Sequence, residues 1–299
     1  MSGSSAEMTK ISREEPLWKR TTFRIGGPAR TLAQPESMED LRALIRQEDV
    51  HLILGGGANL LVSDAGVEGM VLALGPEFAR VEISAAGRGV FRVKAGASMR
   101  LSRLAGMMMK RSLSGLEFGF GIPGLLGGAL RMNAGARGGE MKDIVESIDI
   151  VTKDGALETV LASGAGFGYR SSRFPEGCVI TGATLTLREG SGEAIHSAMR
   201  EGYALRRAAQ PLDMPSAGSV YKNPPGDYAG RLVEVCGLKG ERTGDAMVSP
   251  KHANFIVNLG AARAGDVRRL MRLVEKRVYE QTGVKLEREI RLAGEFDEE

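Results

Sequence analysis

The stretch from residue 119 to residue 139 constrains this chain more than any other. It carries Gly-Ile-Pro-Gly at 121–124, Gly127-Gly128 and Asn133-Ala134-Gly135-Ala136, and its only charges are Arg131 and Arg137. So much glycine makes a helix interior costly, and so apolar a run is out of place in a free loop. Something should therefore pack on it. Main chain without side chains lets a flat ring system lie close, and Asn133 offers hydrogen bonds at a polar rim. A buried crossover between sheets is the plain alternative. Glycine numbers 41 of 299 residues, roughly twice ordinary usage. It clusters at 55–57, 115–139 and 218–244 with no collagen-like period, which points to a large, extended ligand.

At 299 residues the chain has room for two domains or three small ones. Forty Lys and Arg against 37 Asp and Glu leave a net charge of +3, without the excess that would neutralise a row of phosphates. Nucleic acid is a poor partner for it. Cys178 and Cys236 form no C-x-x-C pair, so neither a disulfide framework nor a thiolate zinc site has a basis, and no metal site is expected. The apolar run 118–130 holds five Gly and one Pro in 13 residues, too short and too broken to span a bilayer. Residues 1–10 lack the apolar core of a secretory signal. These features fit a cytoplasmic protein without a membrane partner.

Residues 1–20 read as a polar mobile tail, with the fold beginning near Thr22-Phe23. Ser37 before Met38, Leu41, Leu44 and Ile45 predicts a capped helix. Strands are expected at 51–54, 69–74 and 90–95, and a helix over 101–108. The segment 147–160, turning at Lys153-Asp154-Gly155, reads as a hairpin, and 178–187 as the next strand. A helix over 194–209 is broken by Pro211 and Pro215, where a domain boundary is placed. Val267, Leu270, Met271, Val274 and Val278 with Gly283 predict a helix over 264–282. Residues 286–292 read as a strand and 294–299 as a frayed acidic tail. The mixture is α+β.

Several segments could carry chemistry. In Gly55, Gly56, Gly57, Ala58, Asn59, Leu60 and Leu61 a buried strand runs into three glycines, the way a backbone presents N–H groups to a diphosphate. No third glycine of G-x-G-x-x-G and no helix follows, so this is an anion nest without a Rossmann helix, or an ordinary tight turn. Arg170, after Tyr169, could fork onto a carboxylate or be surface-paired. Ser219, Lys222 and Asn223 place a hydroxyl, an ammonium and an amide close together, with no nucleophile elbow around them. His252 has no partner at metal-ligand spacing. A strand through 286–291 would put Glu287, Glu289 and Arg291 on one face.

Read together, these segments resemble the UDP-N-acetylenolpyruvoylglucosamine reductase family, the flavoenzymes that complete UDP-N-acetylmuramate. The matching pieces are Thr22-Phe23-Arg24-Ile25-Gly26-Gly27-Pro28-Ala29, residues 55–61, 115–117 with 121–128, 132–135, 168–170, 217–224, 237–240, 251–258 and 286–291. The resemblance implies a vanillyl-alcohol-oxidase/PCMH-like FAD-binding fold of two α+β subdomains plus a third, substrate-binding α+β domain. The divisions would be 1–76 with 286–299, 77–208 and 209–285. It implies FAD as cofactor and NADPH as co-substrate, with residues 55–61 on the FAD diphosphate. Ile122, Pro123, Gly124, Leu125, Gly127, Gly128, Asn133, Ala134 and Gly135 would lie along the flavin. Arg170 and Glu289 would hold and polarise the substrate carboxylate, and Ser219 would be the proton donor. Tyr169, Lys222, Asn223 and His252 would face the sugar nucleotide or the nicotinamide. The partners implied are small molecules only, and the protein a monomer.

The chain departs from the family pattern at Leu125, where Thr or Ser is usual, and at Arg137, where Tyr is usual. The first removes a hydroxyl contact to the cofactor. No tyrosine-bearing loop is inserted between residues 177 and 187, which implies the shorter family type with a more open pocket. Another flavin oxidoreductase of the same fold, or a non-catalytic flavin or sugar-nucleotide binding protein, is the alternative.

Overall fold

The computed structural model describes residues 9–296. Its described residues form two compact units, one built from residues 9–12, 31–56 and 70–204, the other from 13–30, 57–69 and 205–296.

The first unit is organised on an antiparallel sheet whose strands run in the order Leu157–Leu161, Val145–Val151, Val179–Glu189, Val90–Gly96 and Val81–Gly87. The expected hairpin is its edge, with Ser147 opposite Leu161 and Val151 opposite Leu157. Strand Val179–Glu189 is continuous, without an inserted loop. Helix α1, Met38–Gln47, begins where the Ser37 hydroxyl accepts the Asp40 N–H at 3.0 Å, the cap its sequence announces. It buries Leu41 and Ile45 against Leu72, Phe78, Val151 and Val179. Helix α2, Leu101–Met109, inserts Leu101, Leu104, Ala105 and Met108 into the main core of this unit.

The glycine-rich segment departs from expectation. Residues Leu126–Arg131 form a short helix, α3, with both Gly127 and Gly128 inside it. Tertiary contact overrides propensity here. Leu126 and Leu130 are fully buried, each contributing roughly 1.5–3 kcal/mol. The N–H groups of Leu126 and Gly127 donate to the carbonyls of Met99 and Ala97 at 2.8 and 2.9 Å. A Cβ at position 127 would lie 3.1 Å from that of Ala97, so glycine permits the approach.

Helix α4, Gly192–Ala209, carries the chain out of the first unit. In the second, a sheet in the order Ser216–Ser219, Phe255–Asn258, Ala246–Val248, Arg242–Thr243 shares a core with helices α5, Ala229–Val235, and α6, Ala264–Thr282. The predicted stripe Val267, Leu270, Met271, Val274 and Val278 is buried in full. Gly283 closes α6 at φ 71°, donating to the Tyr279 carbonyl at 2.9 Å. At the other end the Asp64 carboxylate accepts the N–H groups of Ala264 and Gly265, each at 2.9 Å, where a negative charge suits the helix dipole.

Three further expectations are corrected. The segment assigned to a mobile tail contains strand Lys10–Pro16 and the 3₁₀ turn Leu17–Arg20, with Leu17 buried; residues 1–8 lie outside the described residues. Only Arg291–Ala293 of the C-terminal segment is strand, pairing in parallel with Leu60–Val62; residues 286–290 lack that regularity because their partner changes along the way. Phe296 packs on the second unit's core rather than fraying, while 297–299 lie outside the described residues.

Candidate functional site

Each unit gathers part of the candidate set. In the first, strand Val50–Ile53 pairs in parallel with residues 70–72, and the chain turns at its end through Gly55 and Gly56. A Cβ on Gly55 would meet nothing within 4 Å, so this stretch of main chain is bare on one side. Gly56 instead sits against Gly124. Gly128, exposed on α3, likewise faces open space. Leu125 holds the N-cap position of α3 in extended geometry, with no side-chain cap.

Asn133 is fully buried, with φ 43°. Its amide donates to a Glu140 carboxylate oxygen at 2.7 Å and to the Gly168 carbonyl at 3.0 Å, and its oxygen accepts the Lys142 N–H at 2.9 Å. Arg170 lies in a tight turn in which Gly168 and Ser171 exchange backbone hydrogen bonds, and it too takes a positive φ, 52°. Its guanidinium donates to the Gly135 carbonyl at 3.1 Å and stacks 5.2 Å from the ring of half-exposed Tyr169. Residues 133–135 and 168–170 are thus laced into one constellation, a proximity that their 35-residue separation hides.

In the second unit, Ser219 ends a strand opposite Phe255, just after Gly218 at φ 79°. Its hydroxyl makes no hydrogen bond among the described residues. Two residues on, Tyr221 is buried and donates from its hydroxyl to the Met271 carbonyl at 3.0 Å. Burial, reinforced by the nearby Glu275 carboxylate, pushes this phenol well above its usual range, so Tyr221 is an anchor. Lys222 is ion-paired to Glu287 at 2.6 Å, and its N–H donates to the Glu287 carbonyl at 2.8 Å. Asn223 accepts the Ala229 N–H at 3.1 Å, capping α5. Glu289 is half-buried; its N–H donates to Val220 at 2.8 Å and its carbonyl accepts the Asn59 amide at 3.0 Å. Ser219, Lys222, Glu287, Glu289 and Asn59 therefore share one neighbourhood.

His252 packs edge-on to Phe255 at 4.9 Å, and its Nδ1 accepts the Asn254 N–H at 3.2 Å. Burial, with the Lys239 ammonium as a smaller cause, lowers its pKa from 6.5. No group of His, Cys, Asp and Glu that could hold a metal exists among the described residues. Sequence reasoning gave no role to Thr22, whose N–H donates to the Gly57 carbonyl at 3.0 Å and whose hydroxyl donates to that of Ser216 at 2.7 Å. Nothing local to Thr22 signals this.

Residues 29–161 match an FAD binding domain, and residues 210–293 match the C-terminal domain of UDP-N-acetylenolpyruvoylglucosamine reductase. A UDP-N-acetylenolpyruvoylglucosamine reductase of Anaeromyxobacter sp. (strain K) is 49% identical over 291 residues, covering 96% of this chain and 87% of the relative. The chain belongs to the UDP-N-acetylenolpyruvoylglucosamine reductase family. A second member of that family, from Symbiobacterium thermophilum, is 46% identical over 95% of this chain and 92% of its own. The crystal structure of the Thermus caldophilus reductase superposes with a TM-score of 0.84 at 40% identity, covering 96% of this chain and 99% of that one. The expected family and the expected α+β fold of FAD-binding type are both borne out. The match to an FAD binding domain spans both Gly55-Gly56 and the α3 segment.

Proposed function

We propose that the protein is an FAD-dependent oxidoreductase that uses NADPH to reduce UDP-N-acetylglucosamine enolpyruvate to UDP-N-acetylmuramate, a step in peptidoglycan precursor synthesis. The observation that carries this reading is 49% identity to a reductase of that name over 96% of the chain. The residues present suit the cofactor: Gly55 and Gly128 leave main chain uncovered, as close approach of a diphosphate and a flat ring requires. Gly55, Gly56, Gly57, Ala58, Asn59, Leu60 and Leu61 would hold the diphosphate, and residues 122–128 with 133–135 the flavin. Bound there, FAD would supply hydride-transfer chemistry between NADPH and the vinyl carbon of the substrate.

The chain's own groups do the rest. The Arg170 guanidinium, fixed by Gly135 and Tyr169, holds the substrate carboxylate and is already in place as enolate charge builds on it. Glu289 polarises the same carboxylate. Ser219 delivers a proton to C2; a serine hydroxyl is a weak acid, so placement must compensate for its high pKa. Tyr169, Lys222, Asn223 and His252 bind the sugar nucleotide or the nicotinamide. In this reading the FAD parts are 1–76 with 286–299 and 77–208, and 209–285 binds substrate. A cytoplasmic monomer acting on small molecules, with neither nucleic acid nor membrane as partner, completes it. The net charge of +3 supports the exclusion of nucleic acid. Among the described residues no helix is long and apolar enough to cross a membrane.

The test is Ser219→Ala, with the two half-reactions followed separately. Flavin reduction by NADPH should stay at the wild-type rate while reoxidation by the enolpyruvyl sugar nucleotide falls. Unchanged steady-state turnover would remove Ser219 from the mechanism.

A further inference from the structure

The family resemblance sets Asn59 and Asn133 against the cofactor, yet each donates from its amide to main chain at or near a residue proposed to hold the substrate carboxylate. Asn59 donates to the carbonyl of Glu289 itself at 3.0 Å. Its own carbonyl accepts the Arg291 N–H at 3.1 Å. Asn133 donates to the Gly168 carbonyl at 3.0 Å, two residues before Arg170. We propose that Asn59 and Asn133 are positioning residues, each fixing the main chain from which a reacting side chain projects.

At Glu289 the need is created by topology. Arg288 bridges to Tyr221, and from Arg291 onward the chain pairs with Leu60–Val62. Glu289 lies where one partner is exchanged for the other. Its N–H still reaches Val220, and the Asn59 side chain supplies a donor for its carbonyl. The residue is thereby held at both of its backbone polar groups.

At Arg170 the need is conformational. A non-glycine residue at φ 52° is strained and persists only where its surroundings impose it. The Gly168 carbonyl accepts both the Ser171 N–H, which closes the turn, and the Asn133 amide, which ties the turn to residues 133–135. The Arg170 guanidinium returns to that segment through Gly135. Asn133 itself is locked, because Glu140 and Lys142 occupy the other positions of its amide. Reacting groups displaced by ~1 Å lose on the order of 10²-fold in rate, so tethers of this kind act on rate without touching the reacting atoms.

The inference rests on the roles proposed for Arg170 and Glu289, and its test separates the two. Asn59→Ala removes one amide at a half-buried site. Asn133→Gly removes the other while allowing the positive φ. For each, flavin affinity is read by fluorescence titration of the apoprotein, and both half-reactions are timed per bound flavin. Per bound flavin, reoxidation slowed at least about 10-fold, well beyond any change in flavin affinity or in reduction by NADPH, is expected. The loss should appear in kcat for the sugar nucleotide with KM nearly unchanged. Weakened flavin binding with unaltered reoxidation per bound flavin would overturn the inference and leave the asparagines as cofactor contacts alone. Should Asn133→Gly fail to fold, Asn59→Ala decides alone. A wild-type protein that the sugar nucleotide cannot reoxidise would refute the proposed reaction instead.

Discussion

Gly56 lies so close to Gly124 that a Cβ added to it would sit 2.6 Å from the Gly124 Cα. No side chain can yield there, since both surfaces are main chain. Gly56→Ala should therefore cost about 1–3 kcal/mol of stability through overpacking, seen as a lower urea midpoint. Gly55→Ala meets open space and should leave apoprotein stability within ~0.5 kcal/mol while weakening FAD binding. Equal flavin affinity in Gly55→Ala and wild type would remove residue 55 from the cradle.

Arg170→Ala should lose reoxidation by the sugar nucleotide by roughly 10²–10³-fold, the effect typical of removing a preorganised donor. Flavin reduction should be spared. Arg170→Lys restores the charge but not the fork, so it should recover only part of the rate. Stopped-flow single turnovers distinguish these outcomes, and full recovery by lysine would reduce the role of Arg170 to simple charge.

Lys222 already holds a partner, because Glu287 lies 2.6 Å away with its side chain 71% exposed. An exposed pair contributes only ~0–1 kcal/mol, so Glu287→Gln should barely change stability. Freed of that competitor, Lys222 should bind the anionic substrate about 2- to 5-fold more tightly, lowering KM at constant kcat. A raised KM would show Glu287 to be a substrate contact.

His252 makes the protein acid-sensitive in a definable window. Burial lowers its pKa in the fold below the ordinary 6.5, so the unfolded chain binds the proton first. Its contribution to stability is full above about pH 6.5 and is lost as pH falls through the folded value. Thermal melts of wild type and His252→Gln at descending pH should diverge below pH ~6.5, with the variant flatter. Parallel curves would contradict the assignment.

The sequence revealed α6, α1 and the hairpin because there the apolar period, the cap and the turn residues agree with the final packing. Lys10–Pro16 is not legible in the sequence because a polar strand is defined by its pairing, not by alternation. Helix α3 was hidden because only the Ala97 and Met99 carbonyls and a prepared core make helical glycines tolerable. The candidate residues were individually legible as motifs. Their mutual tethers were not: Asn59 to Glu289 and Asn133 to Gly168 span 230 and 35 residues.

Anaerobic absorbance spectroscopy of the purified protein is the most direct measurement. The protein should be yellow, lose its flavin band on addition of NADPH, and regain it when UDP-N-acetylglucosamine enolpyruvate is added in the absence of oxygen. A colourless protein that takes up no FAD, or a reduced one that this substrate leaves bleached, would contradict the account.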